Sequence, residues 1–193
     1  MVDAACASPS TRKRSNERST LRGARPGRSF GDSDVYLEKL LTHARHIEVQ
    51  VLVDAHGNAI HVGDRDCSVQ RRHQKVVEEA PAPDLTPEQH ERVRSLAVQA
   101  VVAAGYVNAG TVEFLYDGDG SFYLLEVNTR IQVEHCVTEA ISHIDLVAEQ
   151  LRIASGEPLR FRQEDVELRG SAIECRLYAE NPAKKFTFCC ADS

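Results

Sequence analysis

No run of apolar residues in this 193-residue sequence approaches the roughly 18 that a membrane-spanning helix needs. No apolar segment follows Met1, which argues against a secretory leader. The six cysteines, Cys6, Cys67, Cys136, Cys175, Cys189 and Cys190, make no CxxC pair and no metal-ligand spacing, so reduced thiols in a cytosolic protein are expected. Internal repeats are lacking, and so is a basic body. Residues 1–33 carry seven basic side chains against three acidic ones, which leaves the remaining 160 residues near −10 for a net charge of −6. That disfavours a nucleic-acid partner, whose footprint is a basic face on the folded domain.

What is present begins at Val35. Residues 1–34 are rich in Arg, Ser, Gly and Pro without apolar periodicity, and read as a disordered basic segment. An Arg- and Ser-rich, acid-poor start also fits an organelle transit peptide, so the expected locations are the cytoplasm or the mitochondrial matrix. Two alternating runs flank "DAHGN", residues 54–58, and predict a hairpin. "CSVQRRHQKVVEEAPAP" reads as one continuous extended stretch ended by Pro81 and Pro83. A helix should follow, with Thr86 as N-cap, Pro87 at N1, Gln89 completing a capping box and Gly105 as the stop. Its apolar stripe is Val93, Leu96, Ala97, Ala100, Val101 and Ala104. A second hairpin turns at "DGDG", a shorter helix spans Thr138 to about Ser155, and "GSAIECRLYAE" makes a last strand. Antiparallel hairpins with helices packed on one side make the fold class α+β.

The stretch "EVNTRIQVEH" carries the chemistry. Continued as a strand, it places Glu126, Asn128, Arg130, Gln132 and Glu134 on one face, directly after an apolar run. With "DGDG" as a four-residue loop, Tyr116 lies opposite Ser121 and Glu113 opposite Leu124, one diagonal from Glu126. Glu113, Glu126 and the amide oxygen of Asn128 then form a hard-oxygen cluster suited to Mg²⁺ shared with phosphate. Arg130 would clamp an anion, and Glu134 would serve as a general base. A solvated charge ladder on an edge strand is the bland alternative. The donor cluster "QRRHQK", Gln70 to Lys75, is by itself an ordinary basic strand edge; set against an acidic metal site it supplies what triphosphate binding requires.

"GDRDCSVQRRHQKVVEEAPAP", "AGTVEFLY", "LEVNTRIQVEH" and "AIECRLYAEN" together resemble biotin carboxylase, the ATP-grasp component of the biotin-dependent carboxylases. The likeness runs from about Val35 to Phe186. It implies an ATP-grasp domain portion, with Glu113, Glu126 and Asn128 holding the Mg²⁺ or Mn²⁺ that bridges ATP phosphates. Lys75 would meet bicarbonate and phosphate, Gln70 and His73 the nucleotide, and His46 its ribose side. Glu38, with the backbone of Lys39 and Leu41, matches the adenine hinge. Glu134 matches the base that deprotonates bicarbonate, while Arg130, Gln132 and the Val133 backbone match the bicarbonate and biotin pocket. Arg176 matches a residue beside the biotin ureido group. By the same resemblance, bicarbonate attacks the γ-phosphate to give carboxyphosphate, which yields CO₂ and phosphate. The phosphate takes the ureido proton, and the enolate-like biotin, stabilised by Arg130, captures CO₂. The implied partners are a biotin carboxyl carrier protein or domain, a carboxyltransferase and a second copy in a homodimer.

Departures accompany the likeness. The family's preceding α/β domain and glycine-rich lid are not recognisable, and neither residues 1–34 nor residues 187–193 look like the family. The expectation is a catalytic portion of an ATP-grasp domain, running into the start of the next domain, with weak or no turnover alone. Cys136 stands where the family usually has Pro, Ser171 where it has His and His143 where it has Gly. Two other readings remain: a non-catalytic nucleotide-binding fragment, which would not need Glu134, and another ATP-grasp carboxylate ligase, which would not need bicarbonate and biotin.

Overall fold

The computed structural model of the chain describes residues 40–184 and 186–188. Contacts separate residues 1–43 from residues 44–193. Of the first unit only 40–43 are described, as an irregular bend. The second unit is built on a six-stranded, wholly antiparallel sheet of order β5-β4-β1-β2-β3-β6. Its strands are β1 (Arg45–Val53), β2 (Ala59–Arg71), β3 (Gln74–Ala80), β4 (Asn108–Tyr116), β5 (Phe122–Asn128) and β6 (Ala172–Cys175). The helices are α1 (Pro87–Ala103), α2 (His135–Ser142) and α3 (Leu146–Ala154). A short pair, β7 (Glu180–Asn181) and β8 (Thr187–Phe188), follows.

The expected α+β architecture is what the chain adopts. Helix α1 begins as its capping box dictates: Gln89 N–H donates to Thr86 Oγ1 at 3.3 Å, and Thr86 N–H donates to Gln89 Oε1 at 2.9 Å. Its Val93, Ala97 and Val101 bury against Ile47, Val49, Val51, Val112 and Phe114 on one face of the sheet. Each buried valine contributes about 1.5–3 kcal/mol. The opposite face is apolar at one end, where Leu52, Ile60 and Val62 meet Ile144, Leu146 and Ile153 at the start and along the length of α3. It is polar across its middle, and the two short helices flank that polar region.

A bulge in β2 decides which side chain looks which way. Val49 pairs with Asp64 and Val51 with His61, so Val62 and Gly63 together oppose one residue of β1. Gly63 takes φ +89, and a Cβ there would lie 2.9 Å from a Leu168 methyl. Beyond the bulge Asp64 faces α1 and Arg65 faces the polar side, where each finds its partners.

Five local expectations are corrected. The stretch 67–83 is not continuous: Arg72 and His73, at φ 54 and 63, form a two-residue hairpin loop, with Gln70 opposite Lys75. No glycine or asparagine advertises that turn. The β4–β5 loop spans five residues, with Asp117 N–H donating to Ser121 O at 3.1 Å, so Phe122 faces Tyr116 and Leu124 faces Phe114. A bulge at Leu125 then sets Glu113 directly opposite Glu126. The strand holding Glu126 stops at Asn128, so residues 129–134 are not extended in alternation. Finally, the helix expected from Thr138 to Ser155 is two helices, broken where His143 adopts φ 57 and Asp145 caps α3 through Ala148 N–H at 2.8 Å. The last strand covers only Ala172–Cys175 of the stretch expected to be extended.

Candidate active site

The alternation that buries Ile47, Val49 and Val51 under α1 turns His46, Glu48 and Gln50 to the other face. Glu113 comes from β4, and Lys75 from the start of β3. Its ammonium donates to Glu48 Oε2 at 2.5 Å, Glu113 Oε1 at 2.9 Å and Glu134 Oε1 at 2.5 Å. An ammonium has three protons, so Lys75 is saturated. Glu134 is buried at the N-terminus of α2, and its second oxygen accepts from Arg176 Nη2 at 2.6 Å. Arg176 also meets the buried Glu78, Nε to Oε1, at 2.5 Å.

Electrostatics fix the charges. Burial would raise the Glu48 carboxyl, but Arg65, His46 and Lys75 overcome it and hold it well below the carboxylate range. Glu113 is likewise drawn against its burial to about 2, by His46 and Lys75. His46 lies 3.0 Å from Glu113 Oε2, and though burial opposes its charge, Glu113 and Glu48 raise it to about 9. Lys75 is raised above its ordinary value against burial, chiefly by Glu48, so it serves as a fixed cation and not as a proton acceptor. Burial pushes Cys67 and, more modestly, Glu78 upward.

Asn128 Nδ2 donates to Glu113 Oε1 at 3.0 Å and Glu126 Oε1 at 3.2 Å. Carboxylates directly opposed across strands repel unless a donor or cation lies between them. Two carboxylates with an amide that offers an oxygen when turned over are hard ligands, so these residues fit a magnesium ion. Among the described residues, His46, Glu48 and Glu113 also bring ligand atoms within 4.8 Å of one another, though Lys75 already shares Glu48 and Glu113.

Residues 11–162 match the carbamoyl-phosphate synthase L chain, ATP-binding domain. The chain belongs to that family. A pyruvate carboxylase subunit of Methanothermobacter thermautotrophicus is 61% identical over 158 residues, 82% of this chain and 32% of its own length. Biotin carboxylase of Pseudomonas aeruginosa is 60% identical over 156 residues, 81% of this chain and 34% of its own. Among solved structures, the biotin carboxylase domain dimer of Hydrogenobacter thermophilus 2-oxoglutarate carboxylase, in complex with MgADP, ADP and bicarbonate, superposes with a TM-score of 0.80. It is 50% identical, covering 90% of this chain and 38% of that one. The resemblance to biotin carboxylase and its ATP-grasp fold is therefore borne out. The chain spans about a third of the length of the curated relatives it matches.

Of the residues singled out in the sequence, the fold gathers His46, Lys75, Glu113, Glu126, Asn128, Gln132, Glu134 and Arg176. Gln132 donates to Glu113 Oε1 at 2.9 Å. Gln70 joins at the margin, its amide 3.3 Å from His46 Nδ1. Arg130 is exposed at the rim, 3.4 Å from Asn128 Oδ1. Val133 is exposed, and its carbonyl meets His135. His73 sits at the tip of the β2–β3 hairpin, at φ 63, in the loop of the run and not on a strand edge. Leu41 falls in the irregular bend of the first unit, and Glu38 and Lys39 lie outside the described residues.

Sequence reasoning missed Glu48, Arg65, Glu78 and Thr138. A signal existed for Glu48: "HIEVQV" alternates as cleanly as the stretch after Glu126. Arg65 had none, because the bulge at Val62–Gly63 sets its direction.

Proposed function

We propose that this chain carries the site for ATP- and bicarbonate-dependent carboxylation of biotin, on an ATP-grasp region covering residues 35–186. The observation that carries the reading is Glu134: a buried carboxylate whose two oxygens are shared between Lys75 and Arg176. It stands in one connected cluster with Glu113, Asn128 and Gln132.

In this reading Glu134 accepts the bicarbonate proton, and Lys75 and Arg176 offer charge to the anion that results. The bicarbonate oxygen bonds to the γ-phosphorus, the β–γ bridge breaks, and ADP leaves. Carboxyphosphate then splits at its C–O bond into CO₂ and phosphate. The phosphate removes the ureido proton, and the N–C bond to CO₂ forms beside Arg130 and Arg176. Glu113, Glu126 and Asn128 would hold Mg²⁺ or Mn²⁺, which neutralises phosphate charge when bound. His46, Gln70 and His73 would contact the nucleotide, and Glu38, Lys39 and Leu41 its adenine. Gln132 and the Val133 backbone would complete the pocket. Biotin would arrive on a carrier protein or domain and leave to a carboxyltransferase, with a second copy completing a dimer, in the cytoplasm or the mitochondrial matrix.

The test is ADP release from MgATP by the purified chain, with bicarbonate and free biotin each present or omitted, beside Glu134→Gln. Release that needs bicarbonate, rises with biotin and falls at least about 100-fold in the variant supports the reading. Release indifferent to bicarbonate and biotin would point to another ATP-grasp ligase. A folded chain that binds nucleotide without release would be a binding module.

A further inference from the structure

Arg65 is wholly buried, and the reaction outlined above gives it no contact with substrate. Its guanidinium nevertheless carries one of the densest hydrogen-bond sets in the molecule. Nε donates to Glu48 Oε1 at 2.6 Å, Nη1 to Gln50 Oε1 at 3.0 Å and to Thr138 Oγ1 at 2.9 Å, and Nη2 to Thr111 Oγ1 at 3.3 Å. These partners come from β1, β4 and α2.

The contacts close a ring. Arg65 holds one oxygen of Glu48, and the other oxygen of Glu48 holds Lys75. Lys75 holds Glu134, which stands at the start of α2. Four residues on, one helical turn along the same face, Thr138 returns to Arg65. Cutting any link leaves the others attached on one side only. We infer that Arg65 is a positioning residue, which fixes the separation of Lys75 and Glu134 by clamping Glu48 on one side and the first turn of α2 on the other. Arginine suits the task because its planar fork serves several acceptors in fixed directions, which a lysine ammonium does not. The inference rests on the biotin carboxylase reading for the role of Glu134, but the ring of contacts stands without it.

The experiment compares Arg65→Lys, Thr138→Val and Thr138→Ser in the full chain. Thr138→Val keeps the side-chain shape, removes only the link to α2, and carries the test if Arg65→Lys does not fold. Two readouts are taken: bicarbonate-dependent ADP release, split into kcat and the KM values, and amide hydrogen exchange of α2 against α1. A misplacement near 1 Å costs about 100-fold in rate, so kcat should fall by about that in Arg65→Lys and by about tenfold in Thr138→Val. KM for MgATP should stay within about twofold, and Thr138→Ser should restore most of kcat. Exchange in residues 135–142 should quicken about tenfold while residues 87–103 stay as they were. Exchange rising equally in both helices, or kcat unchanged with α2 loosened, would overturn the inference. If the wild-type chain shows no bicarbonate-dependent release, the functional reading falls and exchange alone decides. Quickening confined to α2 then supports the ring, and unchanged α2 exchange overturns it.

Discussion

Asp64 and Arg65 are neighbours in sequence, yet they sit in two charge clusters on opposite faces of the sheet. Under α1, Asp64 accepts from Ala82 N–H at 3.0 Å, from His90 Nδ1 at 3.0 Å and from Arg94 at 2.5 Å. One carboxylate meets two basic side chains and a backbone donor, and burial fails to raise it because His90 and Arg94 pull it down. That cluster is closed: it braces a helix on a strand and leaves nothing for a ligand to do. On the other face the ratio reverses. Glu48, Glu113 and Glu134 converge on the single ammonium of Lys75, with Glu126 paired against Glu113 nearby. Asp64 has its cations to itself, whereas here three carboxylates share one ammonium, and Arg65 and Arg176 each reach only one of the three.

The sharpest way to separate the two is to remove the central cation. Lys75→Met should cost on the order of 3–5 kcal/mol at neutral pH, because it leaves buried carboxylates facing one another. The deficit should shrink as acid protonates them. Asp64→Asn on the other face should cost less, about 2–3 kcal/mol, from charged hydrogen bonds made weaker. Denaturant unfolding at pH 5 and pH 7.5 measures both. Equal losses at the two pH values for Lys75→Met would break the contrast, and so would an Asp64→Asn variant that stays folded but loses its response to bicarbonate.

Helix α1 was legible in the sequence, because local rules suffice there, but the cluster beneath it was not, since Asp64 takes its direction from the bulge at Val62–Gly63. Thr86, Pro87 and Gln89 announce the start of α1, and its apolar spacing names the buried face. The open cluster was legible in its members but not in its paths. Glu126, Asn128, Gln132 and Glu134 do share a site, yet only the first two arrive on a strand; the others come through a loop and a helix start. The hairpin at Arg72–His73 was hidden because non-glycine residues there accept positive φ within the ladder that surrounds them. Glu48 had a local signal in the alternation of "HIEVQV", whereas Arg65 depends on a bulge that no local pattern contains.

A second way to sharpen the contrast uses pH. His46 is raised from 6.5 to about 9, so its contribution to stability is fully present below pH 6.5 and fades as pH climbs through 9. Glu113 is lowered from 4.5 to about 2, so its contribution is present above pH 4.5 and fades as pH falls towards 2. The pair is therefore most stabilising between pH 4.5 and 6.5. Between pH 6.5 and 9.5 the chain should lose on the order of 2–3 kcal/mol, a decline that His46→Gln should flatten. Thermal melts across that range decide it. An alkaline limb unchanged in His46→Gln would show that the imidazolium does not hold the open cluster together.

The smallest effect concerns how the helices behind the two clusters end. After α1 the chain reverses through Gly105 at φ 62, which carries no Cβ penalty. After α2, the helix that supplies Thr138 to Arg65, the corresponding left-handed residue is His143 at φ 57, exposed and with a full side chain. A non-glycine residue in that conformation costs about 1–2 kcal/mol, part of which glycine would return as unfolded-chain entropy. His143→Gly should therefore stabilise the chain by about 0.5–1 kcal/mol, read as a raised denaturant midpoint with unchanged slope. Since His143 makes no part of the ring through Arg65, Lys75 and Glu134, the gain should appear as slower exchange at the C-terminal turn of α2. Bicarbonate-dependent release should not change. A variant less stable than the parent would mean that the His143 side chain contributes more than its backbone costs.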